Sequence, residues 1–433
     1  MGPGRGIIPR LARARALFTT WDLGGGFRLH LRRTRAFKTV TARLVLHADL
    51  DARTAARALV PRVLGRGTRR LPSLKDMQVE LDRLYGAVLH GDASRIGERQ
   101  VIQVQAEWVR DAIAGAPLRE EMASLLREYL HEPATDADGG LRASVIEQER
   151  KNQADEAAAV FDDKGRYARH RLIEVMCKGE SFARPAIGRE KEIRALEVGE
   201  VRAAYEDLLR RAPAELFLVG DLSEAQARAF ARRLGLAGRK GLARPKPTRV
   251  RRAPPRVRTV IERQKVGQAK LAMGFRTSVR LSSPLYAALA LFNALFGGTP
   301  VGKLFKKVRE EASLCYAVHS MTERTKGLVL VQAGIDAKNY AKARKLILAQ
   351  LDDLRKGRVT PAEASLARGI LVSGMRGILD APGAMIDFGL ERSIHGIPAD
   401  VDRLLRGLRS ASIRDVARAA RTVDLDTVYL LRD

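Results

Sequence analysis

Arg309 and Tyr316 stand seven residues apart in the stretch REEASLCYAVHS, residues 309–320. The arginine ends a short amphipathic segment, and the tyrosine sits on a strand-like run. A guanidinium is a rigid fork of donors that suits backbone carbonyls. A phenol hydroxyl can donate a hydrogen bond to a peptide carbonyl, or to the oxygen that turns negative in the tetrahedral state of peptide hydrolysis. Such a pair suggests a substrate-gripping site; neither group activates water. The plainer reading stands beside it: Arg309 as a surface arginine at a helix end, Tyr316 as a half-buried strand aromatic.

The groups that would complete a hydrolase are missing from the sequence. Its seven histidines are His30, His47, His90, His131, His170, His319 and His395, and no two are three or four residues apart. Neither HExxH nor HxxEH occurs, so neither helical zinc-protease motif is present. There is no GxSxG elbow and no GxxxxGK phosphate loop, and Gly24–Gly25–Gly26 is too short and isolated to mark a nucleotide site. Cys177 and Cys315 lie far apart and outside any CxxC, which reads as two reduced thiols and a cytoplasmic protein.

The positioning elements alternate between strand and helix. Residues 28–46 hold one or two strands. Residues 51–64 read as a helix through Ala55, Ala56, Leu59, Val60 and Val63, with Pro61 in conflict. A helix over 73–88 is capped by Ser73 and Asp76 and lined by Met77, Leu81, Leu84, Tyr85 and Val88. Residues 100–108 alternate as a strand; 109–129 and 141–175 are mostly helical; 216–222 is a strand and 223–234 a capped helix. In the second half, 270–277 is strand-like, Ser283 and Pro284 open a helix, and 314–319 and 328–333 form a strand pair. Helix 341–354 ends at Gly357, and Thr360, Pro361 and Glu363 start another. The early helix of each half runs into a Gly–Thr, VLGRGT at 63–68 and ALFGGT at 294–299, so two copies of one α+β unit are expected.

Between the copies, residues 238–260 (GRKGLARPKPTRVRRAPPRVRTV) are rich in Gly, Pro and basic residues and contain no acid. This is the composition of an exposed linker. The domains expected are therefore 1–237, the linker 238–260, and 261–433. The chain of 433 residues carries a formal net charge of +28, which favours acidic partners. The excess is arginine spread over the whole chain, and the linker has no aromatic residue for base stacking, so a specific nucleic-acid function is not expected. No apolar run approaches the roughly 20 residues of a membrane span. The start, MGPGRGIIPRLARARALF, lacks the apolar core and cleavage site of a secretory signal, and Gly2 followed by Arg5 and Gly6 fits a myristoylation signal poorly.

Taken together, these motifs resemble the M16 family, the insulinase, pitrilysin and mitochondrial-processing-peptidase-like proteins, and in particular its bacterial members without zinc. LPSLKDMQVELDRLYGA at 71–87 is similar to the helix after the family's zinc motif, and KLFKKVREEASLCYAVHS followed by KGLVLVQAGI is similar to its second domain. The resemblance runs from about residue 24 to 430. It implies two homologous α+β domains, each a mainly antiparallel sheet covered by helices on one face. The family's HxxEH falls here on Ala58, Leu59, Val60, Pro61 and Arg62, ahead of the retained Gly67–Thr68, so both histidines and the glutamate are gone. Its third ligand, a later glutamate, matches Glu149 after Gln148, which read without the resemblance is a solvated helix residue. One carboxylate cannot hold a catalytic zinc, which takes three protein ligands and an open position.

What the resemblance implies for function is a non-zinc subunit of a heterodimeric M16-like metallopeptidase. Arg309 and Tyr316 would contribute substrate binding to the site of an HxxEH-bearing partner, and zinc would belong to that partner, with no cofactor in this chain. The chain alone would be inactive. The alternative is a catalytically inert structural or peptide-binding protein of the same fold, and a second copy of this chain is the other candidate partner. The family also pairs extended substrate with an edge strand of the first domain, for which residues 100–107 are the candidate.

Overall fold

The computed structural model describes residues 16–433. The N-terminal stretch on which the readings of a leader and of Gly2 rest lies outside them. The chain folds into two lobes, each built on one sheet. The first sheet comprises β1 (Thr19–Asp22), β2 (Phe27–Arg33), β3 (Thr39–Asp49), β4 (Val88–Ile96), β5 (Arg99–Val109) and β6 (Ala214–Gly220), in the order β1-β2-β6-β3-β5-β4. The second comprises β7 (Arg258–Arg263), β8 (Ala269–Thr277), β9 (Cys315–Glu323), β10 (Leu328–Ile335) and β11 (Val423–Arg432), in the order β7-β11-β8-β10-β9. Only β2–β6 and β7–β11 are parallel. The longer helices of the first half are α1 (Thr54–Leu64), α2 (Leu74–Arg83), α3 (Leu118–His131), α4 (Ala143–Ala159), α5 (Lys164–Met176), α6 (Val198–Arg211) and α7 (Glu224–Arg233). Those of the second half are α8 (Tyr286–Asn293), α9 (Tyr340–Arg355), α10 (Pro361–Arg376), α11 (Pro382–Ile394), α12 (Val401–Ser410) and α13 (Ile413–Ala420). No helix among the described residues is long and apolar enough to cross a membrane.

One face of each sheet is covered by helices of its own half. The opposite face is covered by a helix from the other half. Helix α5 leaves the first half and packs Ala168, Leu172 and Met176 against Ala272, Leu330, Tyr429 and Leu431 of the second sheet. Helix α11 does the reverse, setting Met385, Ile386 and Leu390 against Val45, Val101, Phe217 and Val219 of the first. With both faces covered, β3 and β6 are buried along almost their whole length. That is why residues 28–46 alternate only weakly: a strand covered on both sides has no solvent face to keep polar.

Each exchanged helix is held by buried charge. Under α11, the Glu215 carboxylate accepts hydrogen bonds from Arg28 Nη2 (2.6 Å), His30 Nε2 (2.7 Å), His47 Nε2 (3.0 Å) and Ser393 Oγ (2.6 Å). Burial alone would raise the Glu215 pKa, but its bonds to His30 and His47 outweigh that and hold it well below 4.5. Burial pulls His47 below 6.5 despite the pull of Glu215. Both shifts have the same sign for stability. A carboxylate with a depressed pKa stabilises fully above its unfolded value, and a buried neutral histidine binds its proton more readily in the unfolded chain. Stability should therefore fall as pH drops below about 6.5, and again below about 4.5, toward the folded pKa of Glu215. Urea midpoints from pH 8 down to about 2.5 check this, and Glu215→Gln should flatten the lower limb; an unchanged slope in that variant would remove Glu215 as its source.

At the other end of the exchange, Lys326 is completely buried. Its Nζ donates to Glu98 (2.6 Å), Glu180 (2.6 Å) and the Arg249 carbonyl (2.5 Å). Glu180 also pairs with Arg276 (2.6 Å), and Arg276 with Asp426 (2.6 Å). Four segments meet there: the β4–β5 turn, the chain after α5, the second sheet, and the basic stretch between the halves. That stretch holds no helix or strand over 244–257, yet its backbone is tied down. Lys246 N donates to Asp49, Arg249 N donates to Glu98, and Thr248 Oγ1 accepts from Glu98 N.

Two local expectations are corrected. The helix read over 73–88 stops at Arg83, because Tyr85 and Gly86 take positive φ (61° and 71°) and turn the chain so that Val88 opens β4. Residues 100–107 form β5, which is hydrogen-bonded to β3 on one side and β4 on the other and has no free edge for another strand. Alternation reveals a strand but not its place in the sheet; the edge beside it is β4.

Candidate functional site

Helix α1 lies on edge strand β4 at very close range. A Cβ on Gly91 would come within 2.5 Å of both Pro61 Cβ and the Tyr129 hydroxyl, so only glycine fits there. The Tyr129 hydroxyl donates to the Pro61 carbonyl (2.5 Å), and complete burial pushes its pKa up. Helix α4 packs on α1 from another side, with Gln153 Nε2 donating to the Ala55 carbonyl (3.1 Å). This arrangement brings the helix of Ala58, Pro61 and Arg62 against the helix of Glu149.

The chemistry of that junction is not a metal's. Ala58 is fully buried and Pro61 is buried, and neither has a donor atom in its side chain. Arg62 pairs with Glu156 of α4. Glu149 is buried rather than solvated, and it is claimed by Arg66, with Asn152 Nδ2 also donating to it (3.2 Å). Two guanidinium cations thus join α1 and its following turn to α4 where a zinc site would need a neutral imidazole pair and a free carboxylate. These residues do not fit zinc, and among the described residues no group of three or more His, Cys, Asp or Glu could hold a metal ion. Arg66 was not singled out from the sequence; the signal available was a basic residue four positions after Arg62, beside the retained Gly67–Thr68.

Arg309 and Tyr316 are brought together. Arg309 lies on a π-helical turn, Phe305–Glu311, a rare geometry frequent at functional sites. Its guanidinium carbon stands 4.5 Å from the centre of the Phe305 ring and 5.6 Å from that of Tyr316. Ser313, at φ 50°, makes the turn that returns the chain into β9. Stacking of this kind orients a guanidinium while leaving its N–H groups in plane and available. No ion pair to Arg309 is found among the described residues. Tyr316 is 81% exposed, not half-buried.

Tyr316 lines a cavity of about 670 Å³ between the α4–α5 turn and the second sheet, with Asp162, Asp163, Lys164, Lys270, His319 and Gln332 around it. Gln332 Nε2 donates to the Gly165 carbonyl (2.9 Å), fixing the start of α5 over the sheet. Partial desolvation in the cavity wall lowers the His319 pKa below 6.5, although the side chain keeps an exposed surface. Ala58, Pro61, Arg62 and Glu149 are not among the lining residues. The cavity walls come from segments far apart in sequence and were not legible there.

Residues 195–371 match the family model described as the peptidase M16 inactive domain. A probable inactive metalloprotease of Bacillus subtilis is 29% identical over 415 residues, covering 94% of this chain and 96% of that protein. An uncharacterized zinc protease of Mycobacterium tuberculosis is 24% identical over 295 residues, covering 66% of each. Among solved structures, a conserved protein from Enterococcus faecalis superposes with a TM-score of 0.89 at 23% identity, covering 96% of this chain and 99% of that one. An M16 inactive domain from Pseudomonas fluorescens gives 0.79 at 17%, covering 96% and 98%. The two lobes, each a sheet with helices, are the bilobed M16 fold.

Proposed function

Because this chain carries an M16-family inactive peptidase domain, we propose that it is a catalytically inert peptide-holding protein, gripping an extended peptide with Arg309 and Tyr316. One contrast supports the reading. The positions that would bind zinc are closed by arginine ion pairs, whereas in the second lobe the Arg309 guanidinium is stacked beside an exposed Tyr316 and has no ion pair among the described residues. Arg309 would hold backbone carbonyls through its fork, and Tyr316 would donate to one of them. Fluorescence anisotropy with labelled extended peptides tests it. Losing a hydrogen bond from a charged donor removes about 1.5–3 kcal/mol, so Arg309→Ala should weaken binding by roughly 10- to 150-fold. Tyr316→Phe, losing a neutral bond, should weaken it by roughly 2- to 10-fold. Unaltered affinity in both variants would remove the pair from the site.

A second reading is the non-zinc subunit of a heterodimer, favoured by the 81% exposure of Tyr316. In that assembly an HxxEH-bearing chain would supply zinc and the attacking water, and this chain would supply only grip. Peptide turnover by the mixed chains should drop more than about tenfold with Arg309→Ala, the loss of one transition-state contact. Turnover that ignores the substitution favours the inert protein.

A further inference from the structure

We infer that the cavity between α8, α11 and α12 is a binding site for a small molecule carrying one carboxylate on an apolar body. The inference is independent of the peptide grip, since neither Arg309 nor Tyr316 lines this cavity.

The cavity is about 280 Å³, just below the roughly 300–1,000 Å³ of sites for drug-sized ligands, so its occupant is small. Leu281 and Pro284 before α8, Ile397 and Pro398 after α11, and Leu404 on α12 give it apolar walls. Such walls suit a hydrocarbon body better than a bare inorganic ion, which would lose its hydration against them.

The charge comes from Arg392 of α11, which lines the cavity and is only 5% exposed. Its neutralisation is incomplete. Glu391 lies nearer to Arg324 (2.5 Å) than to Arg392 (3.6 Å), so two guanidinia share one carboxylate. Arg392 Nη1 donates to the Phe388 carbonyl over a long 3.4 Å, and the guanidinium carbon stands 3.3 Å from the centre of the Phe388 ring. Tyr286 beside it is a neutral phenol. None of these three groups carries a full negative charge, and burial pulls the Arg392 pKa down. A buried cation is costly unless an anion answers it, and the fork of a guanidinium matches a carboxylate.

The remaining acid does not supply the missing charge. Asp400 also lines the cavity, but its Oδ1 accepts from the Arg403 amide at the start of α12 (2.7 Å) and its buried Oδ2 faces Arg406 at 4.0 Å. Arg403 lines the cavity as well and is exposed. Among the charged residues that line the cavity and their ion-pair partners, the guanidinia of Arg324, Arg392, Arg403 and Arg406 stand against the carboxylates of Glu391 and Asp400. That balance favours an anion over a cation.

Calorimetric titration of the full chain with isocaproate, its uncharged amide isocaproamide, and isoamylamine tests the site. The acid should bind saturably, with a Kd of about 1 mM or tighter. It should bind at least about tenfold more tightly than the amide, which lacks the charge-assisted bonds, and the amine should bind more weakly still. The urea midpoint should rise with the acid and not with the amine. Arg392→Lys keeps the charge, loses the fork, and should weaken the acid by roughly tenfold. Arg403→Gln should weaken it by roughly two- to fivefold, as solvent screens that charge. Arg409→Gln, on the same helix but outside the cavity, should change nothing. Acetyl-Ala-Ala-Leu separates two sources of the same group. Binding as tight as the free acid's assigns the site to the C-terminal residue of a peptide, and binding at least about tenfold weaker assigns it to a free acid. Equal binding of acid and amide, or no saturable heat from the acid by about 10 mM, overturns the site on the unaltered protein, whatever the variants do. Tighter binding of the amine overturns the anionic class, and unaltered affinity in both Arg392→Lys and Arg403→Gln places the acid elsewhere.

Discussion

Replacing Lys326 by methionine lowers stability by about 3–5 kcal/mol, the usual cost of removing one partner from a buried ion pair. The methionine keeps most of the apolar stem, so the loss is that of the charge. The Nζ has no water-facing surface, and its Glu180 partner is 2% exposed and its Glu98 partner 12%. Taking it away leaves Glu180 with Arg276 and leaves Glu98 with only the Arg249 amide to answer its charge. The contrast within the same network is Arg251, which stands 3.8 Å from Glu180 and is 51% exposed. Solvent screens that pair, so Arg251→Ala should cost less than about 1 kcal/mol. Urea midpoints read both. Hydrogen exchange adds location, because the Arg249 carbonyl is Lys326's third acceptor: the amides of residues 246–249 should exchange faster in the methionine variant. Equal, small midpoint shifts in the two variants would mean that Lys326 does not join the lobes.

Much of this architecture was legible because the signals are local. Ser73, Ser223 and Thr360 cap the helices that their side chains announce, each accepting a bond from the amide three residues on. The Gly–Thr repeat follows α1 in one lobe and α8 with its π-helical extension in the other, although Thr68 Oγ1 accepts from the Leu71 amide ahead of it and Thr299 Oγ1 donates to the Ala294 carbonyl behind it. What failed to show was partnership. Helical period identifies which face of α5 or α11 is apolar but not which sheet receives it, and both go to the other half. Pairing of Lys326 with Glu98 spans 228 positions, and no local pattern encodes it. Strand β5 was mistaken for an edge because alternation is the same for an inner strand with one solvated face. At the site, residue identities carried the reading further than geometry. Ala58 and Pro61 offer no donor atom whatever the fold, so identity alone shows that these positions cannot ligate a metal, whereas the exposure of Tyr316 depends on the turn at Ser313, and a positive φ at serine is not forecast by composition.

Arg66 stands in the way of any zinc site built on α1. Installing HxxEH with Ala58→His, Pro61→Glu and Arg62→His together supplies two imidazoles, but Glu149, the carboxylate that the resemblance puts in the third place, is buried in an ion pair with Arg66. A zinc ion bound to that carboxylate would share it with a guanidinium, and the two cations would repel. At a separation of about 5 Å and an effective dielectric near 20, a dication and a monocation oppose each other by roughly 6–7 kcal/mol before the arginine swings aside. Even half of that exceeds a hundredfold in affinity. The triple variant should therefore bind zinc at least about a hundredfold more weakly than a quadruple variant that adds Arg66→Ala and frees Glu149 as a ligand. Zinc per chain, measured after equilibration with buffered free zinc, decides it, with circular dichroism verifying that both variants are folded. Equal affinity in the two would show that Arg66 yields its carboxylate freely. Tight binding by the quadruple variant alone would identify one arginine as the group that stands in for the metal, holding α4 to the end of α1 by the same carboxylate that a zinc ion would use.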